Sequence, residues 1–138
     1  MEFPTFNLDT IMSATSDFIQ GYVECALWSS SDDSGEPFDA NYGTADLILS
    51  ADALAECADF IDANRADLEA YCEALGPFEG TPAWARAGHD FWLTRNRHGA
   101  GFWDRGLGAR HPPSITRAAL AYGERGVIEG DDGRLYLA

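Results

Sequence analysis

The chain has 138 residues, of which 46% are hydrophobic and 12% aromatic, so we expect one folded domain and exclude a disordered chain. Its apolar stretches are far shorter than a bilayer span, and no basic region followed by an apolar run opens the sequence, so we expect a cytoplasmic protein. The net charge is −14, with 17 acids and one Arg in residues 1–80 but six acids and eight Arg in residues 81–138, and this balance opposes direct binding to nucleic acid or to an anionic membrane.

The first predicted element is a helix that begins near Asp9 or Thr10 and ends at about Trp28. Apolar residues spaced three and four apart mark the face that this helix buries: Ile11, Ala14, Phe18, Tyr22, Cys25 and Ala26. Gly21 lies inside the helix, where glycine costs about 1 kcal/mol relative to alanine. We therefore expect a close packing contact at Gly21.

A polar loop is predicted over residues 29–44, and loops of this length in a small domain are often functional or disordered. Its acids Asp32, Asp33 and Glu36 suggest a calcium site. The stretch lacks the spaced acids and the terminal Glu of an EF-hand loop. We therefore expect no metal there.

A second helix is predicted over residues 51–75, with Ser50 as its cap, Gly76 and Pro77 at its end, and a kink or break at Asn64. Most of its acids lie on the outer face of the predicted helix: Asp52, Glu56, Asp59, Asp62, Asp67, Glu69 and Glu73. The three cysteines of the chain have no C-x-x-C spacing, which predicts buried, reduced thiols: Cys25, Cys57 and Cys72.

From Gly88 onward the pattern changes to one typical of strands. We predict a helical turn at 82–87, followed by aromatic strands at 89–94 and 101–104 that a turn at 95–100 joins. A helix at 115–122, capped by Ser114, and a closing hairpin of 127–128 with 134–137 complete the predicted elements. The chain is thus expected to combine an acidic helical half (about 1–80) with an aromatic, basic, strand-rich half (about 81–138). The predicted fold class is α+β, with about three helices packed on a small antiparallel sheet and a C-terminal hairpin.

Residues 88–105, G-H-D-F-W-L-T-R-N-R-H-G-A-G-F-W-D-R, combine four large aromatics with many polar side chains. The candidate ligand-binding residues of this stretch are His89, Asp90, Arg95, Asn96, His98 and Asp104. A histidine oriented by a carboxylate is a general base, two His and two Asp suit a metal, and Arg with Trp suits a nucleotide. In the structural alternative, the aromatics form the core and pairs such as Arg95–Asp104 brace it. The sequence contains no G-x-S-x-G motif of a serine nucleophile, no H-E-x-x-H motif of a zinc site and no glycine-rich phosphate loop. We therefore expect no catalytic residue and no cofactor.

The same stretch resembles a segment, G-H-D-F-W-x-T-R-N-x-H-G-x-G-F-W-D, that recurs in a family of uncharacterised proteins of tailed phages, prophages and plasmids. The resemblance extends to residues 20–24, 26–29, 35–37, 121–124 and 130–133. Arg97 stands where we would expect Gly in the turn, and it adds charge there. This resemblance implies a cytoplasmic accessory protein of a mobile element, and it implies no particular reaction.

The acidic first half and this resemblance together predict a non-enzymatic accessory protein. Its expected partner is a host defence or nucleic-acid-processing protein with a basic surface, to which the acids would imitate the charge of DNA. The expected partner-binding residues are Asp32, Asp33, Glu36, Asp39, Asp52, Glu56, Asp59 and Asp62. The alternative is a small-molecule or nucleotide binder, or a small enzyme, that uses the hairpin between His89 and Asp104.

Overall fold

The computed structural model describes residues 5–32, 34–43, 47–49, 51–107 and 113–137. Its elements are, in chain order, α1 (Thr5–Ser29), β1 (Leu47–Leu49), α2 (Ala51–Ala63), α3 (Arg65–Leu75), α4 (Ala83–Arg95), α5 (Pro113–Ala121), β2 (Val127–Glu129) and β3 (Leu135–Leu137). Single-turn 3-10 helices at Phe38–Ala40 and Phe102–Asp104 lie in the connections. The described part is mostly helical. The predicted α+β class, with three helices on an antiparallel sheet and a strand-rich second half, is therefore wrong.

The described sheet consists of three short strands in the order β1–β3–β2. β1 runs parallel to β3, with Leu47 opposite Leu135, and β2 runs antiparallel to β3, with Val127 opposite Leu137. The C-terminal hairpin is present, and the Asp132 carboxylate accepts a hydrogen bond from the Arg134 amide at 3.0 Å in its turn. The sheet is mixed, because β1 joins it in parallel.

Helices α1 and α4 cross with their backbones in direct contact at two glycines. A Cβ atom on Gly21 would lie 1.8 Å from the carbonyl oxygen of Ala85, and one on Gly88 would lie 1.9 Å from that of Phe18. No side chain fits at such a distance, so both positions require glycine. The close contact predicted at Gly21 is confirmed, and Gly88 is its counterpart on α4.

Helix α4 is the central element, and most of its residues are buried: Ala85, Ala87, Gly88, Asp90, Phe91, Trp92, Leu93, Thr94 and Arg95. The strand predicted at 89–94 is therefore wrong, as is the strand at 101–104, where the chain forms a 3-10 helix. Arg97, in the turn that follows α4, has a φ of 55°. This left-handed conformation is one that glycine adopts without strain.

The core is an aromatic cluster centred on Phe91. Its ring stacks on Phe60 with centroids 4.2 Å apart, and Phe18 and Tyr22 contact it from α1. Phe91, Trp92 and Phe102 are buried as predicted for core residues, whereas Trp103 is 43% exposed. The three cysteines are buried and free, as predicted, and burial raises the pKa of each thiol to about 12.

The break predicted at Asn64 is confirmed, because α2 ends at Ala63 and α3 begins at Arg65. The Asn64 side-chain amide donates a hydrogen bond to the Phe60 carbonyl oxygen at 2.9 Å. The Asn64 backbone N–H donates to the same oxygen at 3.1 Å, so the side chain adds a second bond at the end of α2. The predicted caps differ in outcome. Ser50 lies outside the described residues, and Ser114 lies within α5, where its hydroxyl donates to the Asp67 carboxylate.

Candidate functional site

The six predicted ligand-binding residues do not form one site. Three of them lie on α4, where a rotation of about 100° per residue turns Arg95 away from His89 and Asp90. His89 and Asp90 lie near Arg105, whereas Arg95 faces α2. The remaining three lie after α4 ends. The interpretation of residues 89–104 as a two-stranded binding hairpin is therefore wrong.

Arg95 is a buried structural residue with only 1% of its surface exposed. Its guanidinium donates to the carboxylate of Glu56 at 2.7 Å, to the hydroxyl of Tyr22 at 3.2 Å and to the carbonyl oxygens of Gly123 and Tyr122 at 2.8 and 3.1 Å. These bonds tie the last turn of α4 to α1, α2 and the chain after α5. The prediction that Arg95 braces the core fits this geometry, but its carboxylate partner is Glu56 rather than Asp104.

Asn96 and Asp104 also stabilise local structure. The Asn96 amide donates to the Trp92 carbonyl oxygen at 3.0 Å, and its own oxygen accepts from the Arg125 backbone at 2.9 Å. The Asp104 carboxylate accepts from the Gly101 amide at 3.1 Å and caps the 3-10 helix. His98 is exposed. In the described part of the chain no histidine is hydrogen-bonded to a carboxylate, so the general-base arrangement does not form there.

Asp90 is a carboxylate buried in the protein, 1% exposed and fully engaged. The Arg105 guanidinium donates to one oxygen through two nitrogens, with the Nε contact at 3.0 Å, and the Tyr71 hydroxyl donates to the other at 2.5 Å. Burial, together with the charge of Asp90, raises the pKa of the Tyr71 hydroxyl well above its ordinary value. Tyr71 therefore stays protonated, and Asp90 is held as a partner of Arg105 rather than as a catalytic base.

Glu56 differs from the other predicted partner-binding acids, because it accepts hydrogen bonds from both Arg95 and Arg125. Burial disfavours its charged form, but the bonds from Arg125 and Arg95 outweigh burial and lower the pKa of Glu56 below its ordinary value. The charge of this residue is neutralised within the protein. It holds α2 against α4 instead of facing a partner.

Replacing Glu56 with Gln should lower the free energy of unfolding by about 1–3 kcal/mol at neutral pH. Because the folded-state pKa is depressed, the carboxylate contributes this stability above its unfolded pKa and loses it as the pH falls through the folded pKa. Urea unfolding of wild type and Glu56→Gln from about pH 7 to about pH 3 should therefore show two curves that converge in acid. Glu69→Gln, which removes an exposed carboxylate of α3, is the control, and a wild-type advantage that persists unchanged at the lowest pH would contradict this assignment.

The other predicted partner-binding acids have different environments. Asp32 and Glu36 are used in the loop, where Asp32 accepts from the Ser34 and Glu36 amides at 2.9 and 3.0 Å and Glu36 accepts from Asn41. Asp33 lies outside the described residues. The rest, apart from Glu56, are exposed on the first 3-10 helix and on α2: Asp39, Asp52, Asp59 and Asp62.

Helix α3 extends the exposed acids of α2. Together α2 and α3 carry seven acids and one basic residue, Arg65. Five of those acids are exposed, and we call them the acidic surface: Asp52, Asp59, Asp62, Glu69 and Glu73. Of these, Asp62 pairs with Arg65 at 3.2 Å and Asp59 accepts from the Tyr122 hydroxyl at 2.5 Å. The other three make no ion pair with any described residue.

The described residues contain no group of three or more His, Cys, Asp or Glu side chains arranged to hold a metal ion. The predicted metal alternative at His89, Asp90, His98 and Asp104 therefore does not assemble. None of the helices in the described ranges has both the length and the apolar character needed to cross a membrane.

Comparison with known proteins identifies no relative of this chain. No protein-family model, curated protein or solved structure matches this chain. The functional argument therefore rests on the residues themselves. Sequence reasoning did not single out Tyr71 or Arg125, whose partners are 19 and 69 residues away in the chain, because single polar residues at such separations carry no pattern.

Proposed function

We propose that the protein is a non-enzymatic binding protein that docks its acidic surface onto a basic surface of another protein. The observation that carries the proposal is the exposure of five acids on α2 and α3 beside a single Arg. Arg65 lies beside Asp62 on the helix surface, and an exposed pair of this kind contributes little. The surface thus keeps its negative charge in the folded protein.

Most exposed residues between the acids of α2 are alanines, which favours close approach of a partner. Ala51, Ala55, Ala58 and Ala63 are exposed on α2 together with Leu54. Because the alanine side chains are short, they do not project past the carboxylates, and a partner can approach the row of negative charges closely. A protein site built to receive the phosphates of a nucleic acid would be attracted to such a row.

The resemblance to proteins of phages, prophages and plasmids supports a setting for this binding. We propose a mobile-element accessory protein in the host cytoplasm that occupies the nucleic-acid site of a host defence or nucleic-acid-processing protein. With a net charge of −14, the protein itself repels nucleic acid. Its partner is therefore the protein that would otherwise hold that nucleic acid.

Neutralising the acidic surface should abolish partner binding without unfolding the protein. The test variant is Asp52→Asn/Glu69→Gln/Glu73→Gln, since these acids make no ion pair with described residues. The matched control, Glu79→Gln/Glu124→Gln/Asp131→Asn, removes the same charge from exposed residues elsewhere. Immobilised wild type and control should capture a basic protein from a bacterial host lysate at low salt, and the test variant should retain about tenfold less.

Duplex DNA should release the captured protein, because it competes for the same basic surface. About 0.5 M salt should release it too, because at that ionic strength the attraction between opposite charges extends only a few ångströms. Circular dichroism melts establish that all three proteins are folded. Equal capture by the test variant, or a complex that resists both salt and DNA, would refute the proposal. The predicted small-molecule site on a hairpin is not proposed again, because α4 separates its residues.

A further inference from the structure

A cleft separate from the acidic surface lies between α1, α4 and the connection at residues 78–81. It has a volume of about 200 Å³. The lining residues that matter for recognition are Glu24, Phe78, Arg86, His89 and Arg105. The cleft therefore brings together two guanidinium groups, an imidazole, an aromatic ring and the carboxylates of Glu24 and Asp90.

His89 is available to a ligand. Its side chain is half-buried, and neither ring nitrogen is hydrogen-bonded to a described residue. Burial is the main cause that lowers the pKa of His89, assisted by Arg105 and Arg86 and opposed by Asp90 and Glu24. The imidazole is thus neutral at neutral pH, so that it offers one donor and one acceptor.

Arg86 supplies a positive charge that no described carboxylate neutralises. Its Nη1 donates to the carbonyl oxygens of Leu75 and Gly76 at 3.3 and 3.0 Å, which fixes the side chain but leaves its charge unbalanced. Arg105, in contrast, is paired with Asp90. Glu24 is exposed at the edge of the cleft, where it accepts from the Gln20 amide. The interior of the cleft therefore suits one anionic group.

Two exposed aromatic rings contact residues that line the cleft. Trp28 and Phe78 are each 58% exposed, although large aromatic side chains are usually buried in a chain of this size. Trp28 lies against His89 with ring centroids 5.8 Å apart, and the Arg86 guanidinium lies 5.4 Å from the centre of the Phe78 ring. A planar ring entering the cleft would meet Phe78 in the lining, and Trp28 lies next to the cleft against His89.

We propose that this cleft binds a small ligand made of one planar aromatic ring and one anionic group. The ring packs against Trp28 and Phe78, and Arg86 and His89 bind the anionic group. A cleft this small favours a ligand with a single ring system. A nucleoside monophosphate and an aromatic carboxylate share this chemistry.

Isothermal titration calorimetry of the full chain tests the proposal with four probes: AMP, indole-3-carboxylate, inorganic phosphate and adenosine. AMP or indole-3-carboxylate should bind at one site with a Kd between about 10 μM and 1 mM, and which of the two binds distinguishes the nucleotide from the carboxylate. Phosphate and adenosine should each bind at least about tenfold more weakly, because each offers only half of the chemistry.

Two variants retain the fold while removing one contact each. Trp28→Ala removes an exposed ring, and Arg86→Gln removes the charge but keeps a donor for the two carbonyl groups. Each should weaken binding by about tenfold, which corresponds to about 1.4 kcal/mol. Trp103→Ala, at an exposed tryptophan outside the cleft, is the control and should bind as wild type does. No saturable binding of AMP or indole-3-carboxylate at millimolar concentration, or binding that both variants retain, would overturn the proposal.

Discussion

Replacing Gly88 with alanine should destabilise the protein by about 3 kcal/mol or more, enough to leave it largely unfolded if its stability is ordinary for a small domain. The added Cβ would lie 1.9 Å from the Phe18 carbonyl oxygen, which is backbone and has no rotamer to move. The helices α1 and α4 would have to separate, and the aromatic contacts of Phe91 with Phe18 and Tyr22 would loosen with them.

The sign of this effect distinguishes packing from helix propensity. In an exposed helix, Gly→Ala stabilises by up to about 1 kcal/mol. An unchanged or raised free energy of unfolding for Gly88→Ala would therefore contradict the close contact between the backbones of α1 and α4. Gly126→Ala is the matched control, because a Cβ there meets nothing within 4 Å, and it should change stability by less than about 0.5 kcal/mol. Urea unfolding followed by circular dichroism measures both variants.

Replacing Arg95 with Met should cost about 3–5 kcal/mol, because it removes a buried guanidinium and leaves its part-buried acceptors without their donor. The Gly123 and Tyr122 carbonyl oxygens lose their bonds from Arg95, and Glu56 Oε1 keeps only its bond from Arg125. Arg97→Met, two residues later and exposed, is the control and should cost less than about 0.5 kcal/mol. Thermal and urea unfolding of the two variants measure the difference.

A double variant tests whether Arg95 acts through Glu56. Arg95→Met combined with Glu56→Gln should be less destabilised than the sum of the single variants by about 0.5–3 kcal/mol, since both remove the same bond. A ligand-binding role predicts a different outcome, in which Arg95→Met abolishes function and leaves stability unchanged. That outcome would contradict the structural role of Arg95.

The largest error of the sequence prediction concerns α4, and its cause is physical. A helix buried on nearly every side has no polar face, so residues 88–95 show no helical period for the pattern to reveal. Phe91, Trp92 and Thr94 favour strands by propensity, but burial between α1, α3 and α5 overrides a preference worth about 1 kcal/mol. β1 was not predicted, since three apolar residues next to a loop are too short to indicate a strand.

Features that depend on local sequence were predicted well. The contact at Gly21, the break at Asn64 and the buried cysteines follow from single residues inside periodic helices, and the structure confirms all three. The exposed acids of α2 were also predicted from the helical period. Glu56 was assigned to the same surface, because the sequence does not reveal that Arg95 and Arg125 converge on it from 39 and 69 residues away.

The most direct test of the proposed function is the association rate constant with the captured basic protein, measured by stopped flow at increasing ionic strength. For wild type and for the Glu79→Gln/Glu124→Gln/Asp131→Asn control, the rate constant should fall steeply as salt screens the acidic surface. The Asp52→Asn/Glu69→Gln/Glu73→Gln variant should associate about tenfold more slowly at low salt and respond weakly to added salt. If this variant associates as fast as wild type and with the same dependence on salt, the acidic surface is not where the partner binds.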